Sequence, residues 1–355
     1  MGKCLITKLN GKVDNTSLLK VGEMRIGINK IESPTKETQE LTINSISSTV
    51  ARIVGDGFFT DETLTQNKGK EFRILKNTDN ILYVSNTDCE LAIENKYQFT
   101  KFLFGLIKTN TISNKVINID SFAYSPLVTS LRVDGEKTSG NIASIKNMTK
   151  LADISAAHAA DIFGDISVFK NLNSLRYIYL ADASVSGDIA AFKDLTSLMN
   201  VTLESKLITG DIAVFKDKTE LSKLYLIAGN LTGTIESLKD TKLTESYFAN
   251  TNFTGDFATL PDNFAFISFK GTCNNTFTWG SRSTSAKIIA IEGAPRFADV
   301  DAMLQGQAQC TTNITIASAH WLKTITATGT RTSASDEAVA TLQSKGYTVS
   351  ITPAQ

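Results

Sequence analysis

The chain has 355 residues, which is long for one compact core and predicts two structural units. Hydrophobic residues make up 42% and charged residues 20%, a balance that excludes general disorder. Lys plus Arg (36) cancels Asp plus Glu (36), so composition offers no electrostatic footprint for nucleic acid or an anionic membrane.

The opening segment, MGKCLITKLNGK, lacks the apolar run of a secretory signal, and no stretch approaches the ~20 apolar residues of a membrane span. Gly2 raises myristoylation, but that motif needs Ser or Thr where Ile6 stands. The sequence therefore reads as a chain made and kept inside a cell, or released from one by lysis. Cys4, Cys89, Cys273 and Cys310 lie far apart without a CxxC pair, and only His158 and His320 could assist them. Clustered metal ligands are thus missing, and neither a metal nor a cofactor is expected.

Residues 1–120 read as a small β domain. Asn10-Gly11 is a hairpin signal between short apolar runs. Alternating segments follow at Met24–Ile28, Leu41–Ile43, Phe72–Leu75 and Ile81–Val84, broken by Gly22, Gly55 and Gly57. Gln98–Lys108 fits either a helix or a buried strand, because its periodicity favours neither.

A repeat then takes over. Its marker is a Gly-x-Ile tripeptide headed by Gly140, Gly164, Gly187, Gly210 and Gly233, closed by Gly255-Asp256-Phe257. The glycines are 24, 23, 23, 23 and 22 residues apart. Each unit also carries an LxxLxL run, as in Leu198-x-x-Val201-x-Leu203 and Leu221-x-x-Leu224-x-Leu226, whose last three residues alternate as a short strand. One such coil cannot bury enough apolar surface to offset the entropy of ordering ~23 residues at ~1–2 kcal/mol each, so the coils must stack. Asp165, Asp188, Asp211 and Asp256 follow their glycines, and Lys146, Lys170, Lys193, Lys216 and Lys239 sit six residues after theirs. These two ladders predict a solvated face on which lysines offset aspartates, in preference to a calcium site.

The periodicity resembles the leucine-rich repeat, and GNLTGTI (Gly229–Ile235) resembles its plant-type form. The asparagine of that form is present as Asn230 and Asn252 but replaced by Ser184 and Leu207, which breaks any continuous ladder.

Beyond Leu260 the repeat decays, leaving strand-like Phe264–Phe269, Ile288–Ile291 and Ile314–Ile316. Ser335 is placed to N-cap a helix with Asp336 and Glu337 in its first turn, Val339 and Leu342 on one face and Gly346 as its stop. Tyr347–Ile351 then alternates as a last strand. The expected fold is mixed and β-rich. A sandwich-like N-terminal domain (1–120) precedes a leucine-rich-repeat solenoid (121–332), with regular coils over 127–270 and degenerate coils over 271–332. A helix–strand cap (333–355) closes it.

The junction Ile119–Thr129, the Gly-Asp-Ile coils and the tail from Ala338 to Ile351 (AVATLQSKGYTVSI) together resemble virion proteins of crAss-like phages of gut Bacteroidales. That resemblance implies a head-fibre or tail-associated virion component, made in the bacterial cytoplasm and displayed on the virion surface, with no catalytic residues to carry over. Independently, the GxSxG, GxxxxGK[ST], HExxH and GxGxxG signatures are all missing, so no enzyme is expected. His158 and His320 read as ordinary surface or packing residues.

Outward positions of the repeat strands are the candidate binding surface: Arg132, Asp153, Tyr177, Tyr179, Asn200, Thr202, Lys223, Tyr225, Glu245 and Tyr247. Arg132, Tyr177, Tyr179, Asn200, Lys223, Tyr225 and Tyr247 are singled out. Tyrosine joins a broad apolar face to a polar tip, which suits contact with protein or glycan. Three roles compete: a head fibre decorating the capsid, a tail-associated receptor-binding fibre, and a bacterial surface adhesin. The expected partners are other virion proteins, reached through residues 1–120, and a host surface protein or glycan. Self-association, as a trimer rather than a dimer, is placed in residues 1–120, and a chain begun near Asp120 is expected to be soluble and monomeric.

Overall fold

The computed structural model describes residues 24–28, 38–55, 59–60, 66–85, 89–93, 99–105, 115–123, 125–135, 138–271, 273–313 and 323–353. The expected hairpin at Asn10-Gly11, the strand at Ile314–Ile316, Cys4 and His320 lie outside them.

Among the described residues ten strands precede the first coil. They are β1 (Met24–Ile28), β2 (Thr38–Ser45), β3 (Thr49–Gly55), β4 (Phe59–Thr60) and β5 (Asn67–Gly69). β6 (Glu71–Ile74), β7 (Asn80–Ser85), β8 (Cys89–Ile93), β9 (Phe99–Gly105) and β10 (Lys115–Asn118) complete them. Within the segment that fitted either a helix or a strand, Phe99–Gly105 is thus a strand. Two antiparallel sheets result, in the orders β6-β3-β8-β1-β10 and β5-β4-β7-β2-β9. Leu41, Ile43, Ala51, Ile53, Phe59 and Ile74 are buried within them. The period-two alternation of apolar residues explains this, since alternate side chains share one face.

In the coils each unit contributes one strand to each of two parallel sheets, then a 3-10 turn. The front sheet holds β11 (Ser130–Arg132), β13 (Asp153–Ser155) and β15 (Tyr177–Leu180). The back sheet holds β12 (Thr138–Asn141), β14 (Asp161–Asp165) and β16 (Ser184–Asp188). In β17 (Asn200–Asp211), β18 (Lys223–Thr234) and β19 (Glu245–Asp256) both strands merge into one twelve-residue strand. A register shift between Ser205 and Thr209 marks the bend. Inward residues Ile178, Leu180, Val201, Leu203, Leu224 and Leu226 are fully buried. Phe169, Phe192 and Phe215, one per coil, stack at centroid distances of 6.0 and 6.3 Å.

The two halves of the chain are one pair of sheets. β9 pairs in parallel with β11, and β10, already antiparallel to β1, pairs in parallel with β12. Residue 120 is therefore no break in hydrogen bonding. The strand edges expected to be open for self-association are occupied by the solenoid on that side, and on the far side β5 and β6 carry Lys68, Glu71 and Arg73, charges that discourage strand addition.

The aspartate ladder has a structural task that its spacing concealed. Asp165, Asp188, Asp211 and Asp256 each N-cap a 3-10 turn by accepting the N–H two residues on, and Asn118 and Asn141 do the same two coils and one coil before Asp165. Among the described residues no ladder aspartate pairs with a ladder lysine, so the expected charge offset is replaced by capping. Thr234 makes no such cap; there Glu236 reaches the next coil and accepts from Asp256 N at 2.6 Å.

Each cap sits under a glycine. Gly210 has φ +128°, and a Cβ on it would lie 2.4 Å from Asp188 Oδ1 and 2.7 Å from Ile189 Cγ1 of the preceding coil. Only glycine lets the coils close to this spacing.

One core column is irregular. Met148, Leu172, Leu195, Lys218 and Thr241 occupy equivalent positions, and Lys218 is 1% exposed. Its Nζ donates to Lys193 O at 3.1 Å, and burial lowers its pKa.

After β20 (Phe266–Lys270) come β21 (Thr276–Thr278), β22 (Ala290–Glu292) and β23 (Arg296–Phe297). A helix unannounced by the repeat, α1 (Val300–Gln309), is N-capped by Asp299. β24 (Thr324–Thr328), α2 (Asp336–Ser344) and β25 (Thr348–Thr352) end the described chain, with β25 parallel to β24. Ser335 precedes α2 as expected but does not cap it: its hydroxyl is turned to Asp301 on α1, a contact that ties the two helices together. Gly346, at φ +87°, stops α2.

Two substitutions test this packing. Gly210→Ala is expected to cost about 2 kcal/mol or more in urea unfolding, from the φ penalty and the overlap with Asp188. Lys218→Met is expected to preserve or raise stability and to alter its pH dependence. Because the folded pKa of Lys218 is lowered, the unfolded chain binds more protons there, so the natural chain gains stability as pH rises toward the ordinary lysine value of ~10.4. Urea midpoints from pH 7 to 10 should show that gain in the natural chain and less of it in Lys218→Met.

Candidate functional site

Parallel register places the outward residues of the front sheet in two rows. The first runs Lys101, Ser130, Asp153, Tyr177, Asn200, Lys223, Glu245, and the second Leu103, Arg132, Ser155, Tyr179, Thr202, Tyr225, Tyr247. A depression of ≈ 660 Å³ lies over them, lined by side chains of both rows from Leu103 to Tyr225. It brings together Arg132, Tyr177, Tyr179, Asn200, Lys223 and Tyr225. Tyr247 falls outside its lining and packs instead edge-on against Tyr225 at 4.5 Å and against Phe266 at 5.1 Å.

Two residues read as outward are buried. Glu245 keeps 5% of its side-chain surface and meets Lys223 Nζ at 2.5 Å, while Thr202 lies beneath neighbouring side chains. The Tyr225 hydroxyl also bonds Glu245, and burial, that bond and the carboxylate's charge push its pKa far above the ordinary phenol value. Lys223, Glu245 and Tyr225 thus form one fixed unit at the end of the depression.

Elsewhere the polar groups are also held in place. Asp134 accepts from Ser155 Oγ at 2.5 Å and Ala157 N at 2.9 Å, and faces Arg132 Nε at 3.7 Å. Asn200 Oδ1 accepts from Ser222 Oγ at 2.8 Å. Arg176 stacks over Tyr177, whose hydroxyl contacts Met199 Sδ at 3.4 Å. Tyr179 is the most open of the depression's tyrosines, 43% exposed. Asp134 and Ser155 were not singled out from sequence. The signal was available: Ser155 lies between Arg132 and Tyr179 in one row, and Asp134 is two residues past Arg132.

His158 pairs with Asp182 at 3.0 Å, both exposed and each at positive φ in the turn that follows its strand. Among the described residues no three His, Cys, Asp or Glu side chains gather as a metal-ligand set. No helix among them is long and apolar enough to cross a membrane. Cys273 and Cys310 are free thiols. A single rung of the asparagine ladder forms, Asn252 Nδ2 donating to Asn230 Oδ1 at 2.9 Å.

The coils stack as a solenoid of two parallel sheets. No protein-family model matches the sequence, and no curated protein matches it. Among solved structures the chain is similar to internalin C2 of Listeria monocytogenes, with 17% identity over 50% of this chain and 75% of that one, at a TM-score of 0.36. It is similar to an internalin (inlF) of the same species, with 15% identity over 72% and 82% of the two chains, at a TM-score of 0.34. The PEPR1–AtPEP1 structure matches at 16% identity over 72% of this chain and 35% of that one, with a TM-score of 0.48. The resemblance to the leucine-rich repeat is carried by the chain's own period, strand register and buried leucines.

Removing the Glu245 carboxylate should loosen the unit it organises. Glu245→Ala is expected to cost about 1–3 kcal/mol by stranding the buried side of Tyr225. An absorbance titration should then show Tyr225 ionising closer to the ordinary phenol range.

Proposed function

We propose that this chain is a non-catalytic binding scaffold that presents the front sheet of its solenoid to a partner. The observation that supports this reading most is the depression itself. Six side chains from four of five successive coils converge there on rigid strands, and their tyrosines offer wide contact area at low entropic cost.

In this reading the scaffold is a bacteriophage virion protein, a head fibre decorating the capsid surface, made in the host cytoplasm. The resemblance of Ile119–Thr129, the Gly-Asp-Ile coils and the 338–351 tail to virion proteins of crAss-like phages supports it. A tail-associated receptor-binding fibre is the variant of the same role. Attachment to other virion proteins and self-association, as a trimer, are assigned to residues 1–120, away from the edges that continue into β11 and β12. The depression then faces a host surface protein or glycan. A bacterial leucine-rich-repeat adhesin is the second reading, favoured by the solenoid alone.

Peptide mass spectrometry of purified particles separates the two roles: recovery of the chain in stoichiometric amount is expected, and its absence rejects the virion reading. For the surface, labelled full-length protein should bind envelopes of the host bacterium, and Tyr177→Ala with Tyr225→Ala should weaken that binding by about tenfold or more. Unchanged binding would move the site off the front sheet.

A further inference from the structure

Both sheets of the solenoid converge on β24, and β25 alone lies beyond it. Thr348 N donates to Lys323 O at 2.8 Å and Thr352 O accepts from Gly329 N at 2.9 Å, so these residues turn their backbone groups toward β24. Strand alternation then points the N–H and C=O of Val349 and Ile351 away from β24, where nothing among the described residues meets them. The opposite end of the stack is guarded by charge, with Lys68 on β5 and Glu71 and Arg73 on β6. The β25 segment Thr348–Thr352 (TVSIT) carries no charge, so its edge lacks that guard.

The side chains of this edge are as unfinished as its backbone. Val349 and Ile351 face the same side as the buried Ile325 and Ala327 of β24, yet both stay half-exposed. With Val339 of α2 they line a groove of ≈ 480 Å³. Arg331 at its rim is already paired with Asp336, so no lining residue offers a free charge. The occupant that fits is an uncharged strand with apolar residues at alternate positions. The edge itself is such a strand. Turned about a two-fold axis through Ser350, it sets Thr348 against Thr352, Val349 against Ile351, and Ser350 against its own copy. Val349 and Ile351, whose backbone groups point outward, then meet as hydrogen-bonded antiparallel pairs, with two N–H···O bonds in each. Pro353 has no N–H and ends the ladder. We infer that two copies of the chain join edge to edge through β25, about a two-fold axis at Ser350, and cover each other's Val349 and Ile351. This contact is separate from the association assigned to residues 1–120 and from the front-sheet depression.

Five residues from each copy make a small interface, so the full-length chain is followed by sedimentation up to about 0.1 mM. The natural chain should gain mass with concentration. Ser350 is exposed, and Ser350→Lys sets like charges directly opposite each other. It should weaken the gain by about tenfold or more with the melting midpoint unchanged. Ser350→Glu should do the same alone, and an equimolar mixture of the two variants should associate at least as well as the natural chain. Crosslinking reads the register. Ser350→Cys should form a covalent dimer under mild oxidation, whereas Thr348→Cys, whose mate lies about 14 Å away, should stay at the level of the natural chain. Equal masses for the natural chain and Ser350→Lys at every concentration overturn the inference, whatever association residues 1–120 provide. So does a mixture that associates no better than either variant alone, or equal crosslinking at positions 348 and 350.

Discussion

The regular coils of this protein depend on one close approach: the carboxylate of Asp188 lies directly beneath the backbone of Gly210, and its counterparts repeat that contact along the stack. The same oxygen that accepts the Ala190 N–H to start its own 3-10 turn fills the space a Cβ would need on the next coil. Capping within a coil and spacing between coils are therefore set by one side chain. This explains why four of the six markers pair glycine with aspartate. It also explains Glu236, which stands in where Thr234 cannot reach: its carboxylate occupies the space beside Gly255 and takes the Asp256 N–H.

That spacing lets β9 and β10 pass into the solenoid. Parallel pairing needs neighbouring strands at about 4.8 Å, and β11 and β12 accept β9 and β10 at that separation without an interrupting linker. The antiparallel sheets close one end of the solenoid by continuing it. A chain begun near Asp120 would leave β11 and β12 as bare edges beside the buried Phe122.

What could be read from residues alone follows from the range of the forces involved. Period-two alternation and the 23-residue recurrence are local, and they located the buried Leu203 and Leu226 and the outward Tyr177, Tyr179 and Tyr225. Glu245 was misread because alternation reports which side of the sheet a residue faces, not whether Lys223 and Tyr225 fold over it. The task of Asp188 was misread because a regular row of carboxylates looks the same whether it faces solvent or caps turns; only the backbone N–H two residues on distinguishes them. α1 was missed because the glycine marker had lapsed and its apolar positions, Val300, Met303 and Leu304, are few.

The account stands on the contact between aspartate and glycine of successive coils, and a double-mutant cycle measures it. Asp188→Ala alone removes a cap and Gly210→Ala alone introduces the clash. In the double variant the clashing oxygen is gone, so the losses should fall short of their sum by about 1 kcal/mol or more, within the range seen for touching residues. Urea unfolding of the four proteins gives the coupling directly. Strictly additive losses would mean that the two side-chain positions do not meet, and that something other than this contact spaces the coils.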